Sequence, residues 1–166
     1  RNKRFSIWYS KICEGTNISA EILANECYQL QQSKVAISSG GMFGLGPGTS
    51  RARWGSLPNS WSDFIASIAA EEYGFFGLLI LIIGLVSLII SFFGLSLTSS
   101  NEFNRLFYVG IGSWVFIQTI FNLGGIVGLL PITGIVLPFV AYGGSAMVSI
   151  FIGLTIAYSK DNVEDL

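Results

Sequence analysis

Histidine is absent from all 166 residues, which excludes Ser-His-Asp and Cys-His catalysis and any histidine-ligated zinc. Cysteine is scarce, with Cys13 and Cys27 alone. Two thiols are too few for a disulfide-dense module or a thiolate zinc site; they either pair on an oxidising face or stand as separate thiols. Charge is sparse as well. Only 11% of residues are Asp, Glu, Lys or Arg, against about 25% in a soluble domain, so the chain cannot clothe a water-facing surface in the ordinary way. A net charge of −1 offers no general attraction to polyanions. Together these features exclude a soluble nucleic-acid binder and a disordered tail.

What the chain has is apolar, 51% of its residues, and it is unevenly placed. Residues 1–72 hold 13 of the 19 charged side chains, whereas from Tyr73 to Ser159 only Glu102 and Arg105 are charged. That second region is long enough for three bilayer crossings of about 20 residues each. The spans are expected at 74–97, 106–130 and 134–158, joined by a polar connection over 98–105 and a tight one over 131–134, with an acidic tail over 160–166. In lipid, helices associate through small residues and inward-facing polar groups. Ala141, Ser145, Ser149, Gly153 and Ala157 give the third span a small-residue stripe, and Gln118 and Asn122 share one face of the second. That amide face reads either as helix-to-helix glue or as the lining of a cavity. Three helices have few inward faces for these features, so further helices upstream are expected and the chain is expected to be a piece of something longer.

The first 72 residues are mixed polar. Asn17 to Gln32 has the spacing of a short surface helix. Ser38 to Ser50 contains five glycines and a proline, which predict an irregular loop. Without GxxxxGK or a surrounding βαβ pattern it is no nucleotide-binding motif. Free backbone N–H groups beside Arg51 and Arg53 would nevertheless suit a phosphate or pyrophosphate; the alternative is a basic loop with an interfacial Trp54. Farther on, Ser60 and Asp63 have the spacing of a capping box, and Phe64, Ile65, Ile68 and Ala69 the spacing of one helix face. By residue chemistry alone, Asp63 reads as an N-terminal helix carboxylate.

Four separated stretches resemble one family. Gln32-Ser-Lys-Val-Ala-Ile-Ser-Ser-Gly-Gly-Met-Phe-Gly-Leu-Gly-Pro-Gly-Thr-Ser50 resembles Q-S-x-x-A-x-x-x-G-G-x-x-G-x-G-x-G-x-S. Leu57-Pro58 to Asp63-Phe64-Ile65 with Glu71-Glu72-Tyr73-Gly74 resembles L-P-E-x-H-T-D-F-I…E-E-x-G. Asn122-Leu-Gly124, then Gly128 to Gly134 and Leu137 to Ser145, resemble N-I-G…G-L-L-P-x-T-G-x-x-L-P-F-I-S-Y-G-G-S. These are motifs of the SEDS proteins, the FtsW/RodA/SpoVE group, and the Gly-Pro-Gly and Glu-Glu-Tyr-Gly segments lean toward its FtsW-like branch. The chain departs from the pattern at Asn59, Trp61, Ser62 and Ala141.

The resemblance implies an all-α polytopic membrane protein: three transmembrane helices preceded by a large extracytoplasmic loop, the last part of a ten-helix fold. It implies a peptidoglycan glycosyltransferase in the bacterial cell membrane that polymerises lipid II beside a class B penicillin-binding protein, with other divisome or elongasome proteins as partners and no nucleic acid. A lipid II flippase and a non-catalytic division scaffold are the rival readings. The family's catalytic Asp matches Asp63, acting either as base or as ligand of a divalent cation, Mg or Mn. Beside it, substrate binding is assigned to Arg51, Arg53, Gly46, Gly48, Ser50, Glu71, Glu72, Asn122 and Tyr142.

Overall fold

The structure, a computed structural model, describes residues 21–54, 62–142, 144–145, 147–153 and 155; of residues 21–26 and Arg53 only the backbone is described. Cys13, Asn59, Ser60, Trp61 and Ala157, and the tail 160–166, therefore lie outside the described residues. Helix α1 runs Glu21–Ser39, a short 3-10 turn runs Ala52–Trp54, α2 runs Ile65–Thr98 and α3 runs Glu102–Val127. Residues 147–153 are helical as well, and no strand occurs among the described residues.

Of the helix expected over 17–32, residues 17–20 lie outside the described residues, and from Glu21 it continues past Gln32 to Ser39. Its second half is held by tertiary contact: Ser33 and Ala36 are buried against α2. The Ser38 and Ser39 hydroxyls then bend back to the carbonyls of Val35 and Ala36, which helps to close the helix.

α2 and α3 are long and apolar enough to cross a membrane, and only 17% of the most apolar stretch of α2 is buried. A soluble core helix would be mostly buried, so α2 is not packed as one. Asn101 starts α3 by accepting a hydrogen bond from the Phe103 amide at 2.9 Å. The brief turn before it makes α2 and α3 an antiparallel hairpin. Ile89 and Phe92 pack on Tyr108, Ile111 and Val115, while Leu85, earlier in α2, shares a cluster with Ile126 at the far end of α3.

The third span does not begin at Gly134. Residues 131–137 are non-helical and 138–142 are turns and bends. Pro138 explains this, since a helix started at Gly134 would set the proline ring against a carbonyl and lose an N–H. Gly134 lies at φ 71 and Phe139 at φ 63, so the chain bends back on itself instead. Ala141, expected in the small-residue stripe, lies outside any helix, and Ser145 and Ser149 are exposed. Gly153 of the stripe packs near Ile111 and Phe107 of α3.

Candidate functional site

α2 is broken at Gly74, whose φ of 69 and ψ of −165 lie in a region essentially restricted to glycine. A break exposes carbonyls on its N-terminal side and amides on its C-terminal side. The glycine-rich loop supplies partners to both. The amides of Leu45 and Gly46 donate to the carbonyls of Glu71 and Glu72, each at 3.0 Å. The amides of Phe75 and Phe76 donate to the carbonyls of Gly41 and Met42, at 2.9 and 3.4 Å. Four backbone bonds thus splint the two halves of α2. The fit requires missing side chains: a Cβ on Gly44 would collide with the Glu72 carbonyl, and one on Gly74 would reach the Met42 carbonyl at 2.6 Å.

This corrects the reading of the loop as a set of free phosphate-binding amides. The N–H groups of Gly44, Leu45 and Gly46 are already bonded, to Gly40, Glu71 and Glu72. Gly46 is therefore a splint residue, and exposed Gly48 is a left-handed turn residue at φ 80.

Glu71 and Ser50 are also reassigned. Glu71 is 3% exposed. Its carboxylate accepts the Ser50 hydroxyl at 2.6 Å and the amides of Arg51 and Ala52 at 3.2 and 3.3 Å. Charge-assisted bonds to a buried carboxylate are strong, and these anchor the end of the loop. Arg51 leaves this anchor with an exposed side chain. Replacing Glu71 by Ala would strand three donors and should cost on the order of 2–4 kcal/mol. A lowered melting temperature of the full-length protein, with new proteolysis near residues 50–52, is the expected result.

A second buried hub ties the three helices together. Ser33 donates to the Ile126 carbonyl at 2.9 Å and lies 2.8 Å from the Ser67 hydroxyl, linking α1, α2 and α3. Sequence reasoning missed both serines. The signal available was Ser33 lying inside the Q-S-x-x-A stretch, one turn from buried Ala36.

Asp63 is not a cap. Phe64 occupies the N-cap of α2, with no side-chain capping bond, and its carbonyl accepts from Ser67 and Ile68. Phe64 takes that position because its ring is buried in the core with Ala66, Leu137 and Ala141. Asp63 is thereby displaced from the helix start and is half-buried. Its Oδ2 lies 3.5 Å from where a side chain on Gly134 would begin. Asn122, 4% exposed, donates from Nδ2 to the backbone carbonyls of Asp63 at 2.9 Å and of Ile135 at 2.8 Å.

Asp63, Asn122, Thr133 and Gly134 line a narrow cleft of about 10 Å³, room for one water-sized group, whose other walls include Phe121, Ile126 and Ile132. Asp63 is the one ionisable side chain among the described residues on it. The cleft gathers residues from the start of α2, the last turns of α3 and the bent 131–137 segment. Glu72 does not join it; it is buried along a separate apolar groove with Ile65, Ile68, Tyr73, Leu81 and Val140. Tyr142 is exposed. No cluster of three or more His, Cys, Asp or Glu side chains occurs among the described residues. A cation shared with a substrate would have Asp63 as its anionic protein ligand on this cleft, the mode Mg²⁺ uses when phosphates and waters supply the other positions.

A family model described as "Cell cycle protein", for FtsW, RodA and SpoVE, matches residues 1–164. The chain is 48% identical over 120 residues to "Probable peptidoglycan glycosyltransferase FtsW" of Bacillus subtilis, covering 72% of this chain and 30% of that protein. It is 41% identical over 140 residues to the protein of the same description in Enterococcus hirae, covering 83% and 35%. "Stage V sporulation protein E" of Bacillus subtilis is 38% identical over 120 residues, covering 72% and 33%. Among solved structures, a chain described under "Structural coordination of polymerization and crosslinking by a peptidoglycan synthase complex" superposes with a TM-score of 0.59 at 30% identity, covering 76% of this chain and 35% of that one. The chain thus spans about a third of the length of the relatives it matches.

Proposed function

The chain belongs to the FtsW/RodA/SpoVE family of cell cycle proteins, and on that premise we propose that it is the catalytic part of a peptidoglycan glycosyltransferase that polymerises lipid II in bacterial cell division. The observation that carries this is Asp63: a carboxylate released from helix capping and set at the mouth of a cleft beside two membrane helices. The names of the FtsW relatives and the synthase complex support the same reading.

In this mechanism Asp63 accepts the proton of the acceptor sugar's 4-hydroxyl as that oxygen attacks the anomeric carbon of the lipid-linked donor. The polyprenyl pyrophosphate leaves with the bonding electrons. A positioned general base is worth about 10²–10⁴-fold. Arg51, exposed on its Glu71 anchor, and Arg53 would receive the pyrophosphate. In the alternative role Asp63 would hold a Mg or Mn ion shared with the substrate, and that ion would neutralise charge on the leaving group. A class B penicillin-binding protein would act beside it on the growing strand.

The test is the purified full-length protein, with its transpeptidase partner, given labelled lipid II. Processive glycan polymer is the expected product. Lipid II movement across vesicles without polymer would favour a transporter, and neither activity would favour a scaffold.

The reading also fixes orientation. We place residues 1–72 outside the cytoplasm and the 98–105 connection and the tail inside, as the family resemblance implies; the seven Lys and Arg of residues 1–72 do not overrule it, because the positive-inside rule applies to short loops near span ends and long segments escape it. On a cysteine-free background, exposed Phe43→Cys should react with an impermeant maleimide on intact spheroplasts. Exposed Ser100→Cys should react only after permeabilisation, and the reverse pattern would invert the topology.

A further inference from the structure

We propose that Asn122 is the positioning residue of Asp63, acting through the backbone and not as a substrate ligand. The inference rests on the reading of Asp63 as the catalytic base. An asparagine near the end of a membrane helix is costly unless its groups are used. Here both uses found are donations: one Nδ2 holds the carbonyl of Asp63 and the carbonyl of Ile135, at 2.9 and 2.8 Å. Its Oδ1 is buried and has no hydrogen-bond partner among the described residues. The position therefore needs two donors, which aspartate in its ionised form and leucine both lack while keeping a similar outline.

The geometry explains why those donors matter. Asp63 precedes the N-cap of α2 and gains no hold from the helix itself. Ile135 belongs to the non-helical segment that carries Gly134 beside the Asp63 carboxylate. By gripping both carbonyls, Asn122 fixes the carboxylate's backbone to one wall of the cleft and the Gly134 wall to the other. Gly134 contributes by having no side chain, which leaves room at Oδ2 for a reacting hydroxyl. A base misplaced by about 1 Å can lose on the order of 10²-fold in rate. The expected signature is a fall in turnover without a matching fall in substrate binding.

The experiment uses the full-length protein with its transpeptidase partner, lipid II as substrate, and rates normalised to the monodisperse fraction. Asn122→Asp and Asn122→Leu should lower kcat by about 10- to 100-fold with KM within about threefold. Because Asn122 acts through Asp63, adding Asn122→Leu to Asp63→Asn should slow the enzyme little beyond Asp63→Asn alone. A tenfold rise in KM at unchanged kcat would make Asn122 a substrate ligand and overturn the proposal. Wild-type kcat and KM in the folded fraction would reduce it to a structural amide and overturn it equally. Should both variants fail to fold, Asn122→Ser keeps one donor and should show a smaller kcat loss with KM held; wild-type kcat there would be just as damaging. If Asp63→Asn itself polymerises lipid II normally, the underlying reading fails. If Asp63→Asn is inactive while Asn122→Asp turns over normally, only this proposal fails.

Discussion

Asp63→Asn in the full-length protein is expected to cut lipid II polymerisation at least a hundredfold while expression and melting temperature barely change. The two halves of that result have separate causes. Asn is nearly isosteric with Asp but cannot take a proton at neutral pH, so the general-base contribution of about 10²–10⁴-fold is lost. Stability is spared because the Asp63 side chain is not the cap of α2; Phe64 holds that position with no side-chain bond. Had Asp63 been the capping carboxylate, as its spacing from Ser60 predicts, replacing it could alter stability by about 0.5–2 kcal/mol. The measurement is polymer yield per folded enzyme, alongside a thermal-shift curve. Near-normal polymerisation would remove Asp63 from the chemistry and turn attention to a transporter or scaffold.

The second large effect is expected at the splint. Gly74→Ala should cost about 3–5 kcal/mol, combining a backbone region that side chains avoid with overpacking against a neighbouring backbone. The new methyl group would meet the Met42 carbonyl at 2.6 Å, and that carbonyl belongs to the loop that bonds Phe76. No flexible side chain is available to move aside. Loss of that much stability exceeds a third of what many domains possess, so the full-length variant should be recovered poorly, or with a melting temperature lowered by many degrees. Gly84→Ala is the control, because a Cβ there meets nothing within 4 Å. Equal stability of the Gly74 and Gly84 variants would mean that the splint contributes little.

These expectations separate what the residues announce from what the fold arranges. The membrane character of α2 and α3 was legible in a stretch from Tyr73 to Ser159 with only two charges, because a bilayer reads composition and length directly. The family was legible in four ordered motifs, since glycine and proline spacings record close approaches that few other sequences share. The hairpin turn at Asn101 could also be foreseen as a polar break.

The roles within the motifs were another matter. Five glycines beside two arginines read as an anion loop, yet the amides of Gly44, Leu45 and Gly46 are bonded within the protein, two of them to the broken end of α2. Sequence spacing cannot show that a helix will break and need an outside splint. Ser60 and Asp63 read as a capping box, but burial of Phe64 moved the helix start past Asp63. Glu71 and Ser50 read as substrate ligands and are each other's partners across 21 positions.

What the sequence determined by itself, then, is the solvent this protein faces and the family to which it belongs. Both depend on composition and local pattern, which exist before the chain folds. The tertiary structure alone decided that Glu71 is engaged by the loop while Asp63 stays out of the helix cap and lines the cleft. Asn122 reaches the carbonyl of Asp63 across 59 positions, and a contact at that separation exists only after α2, α3 and the 131–137 segment have packed.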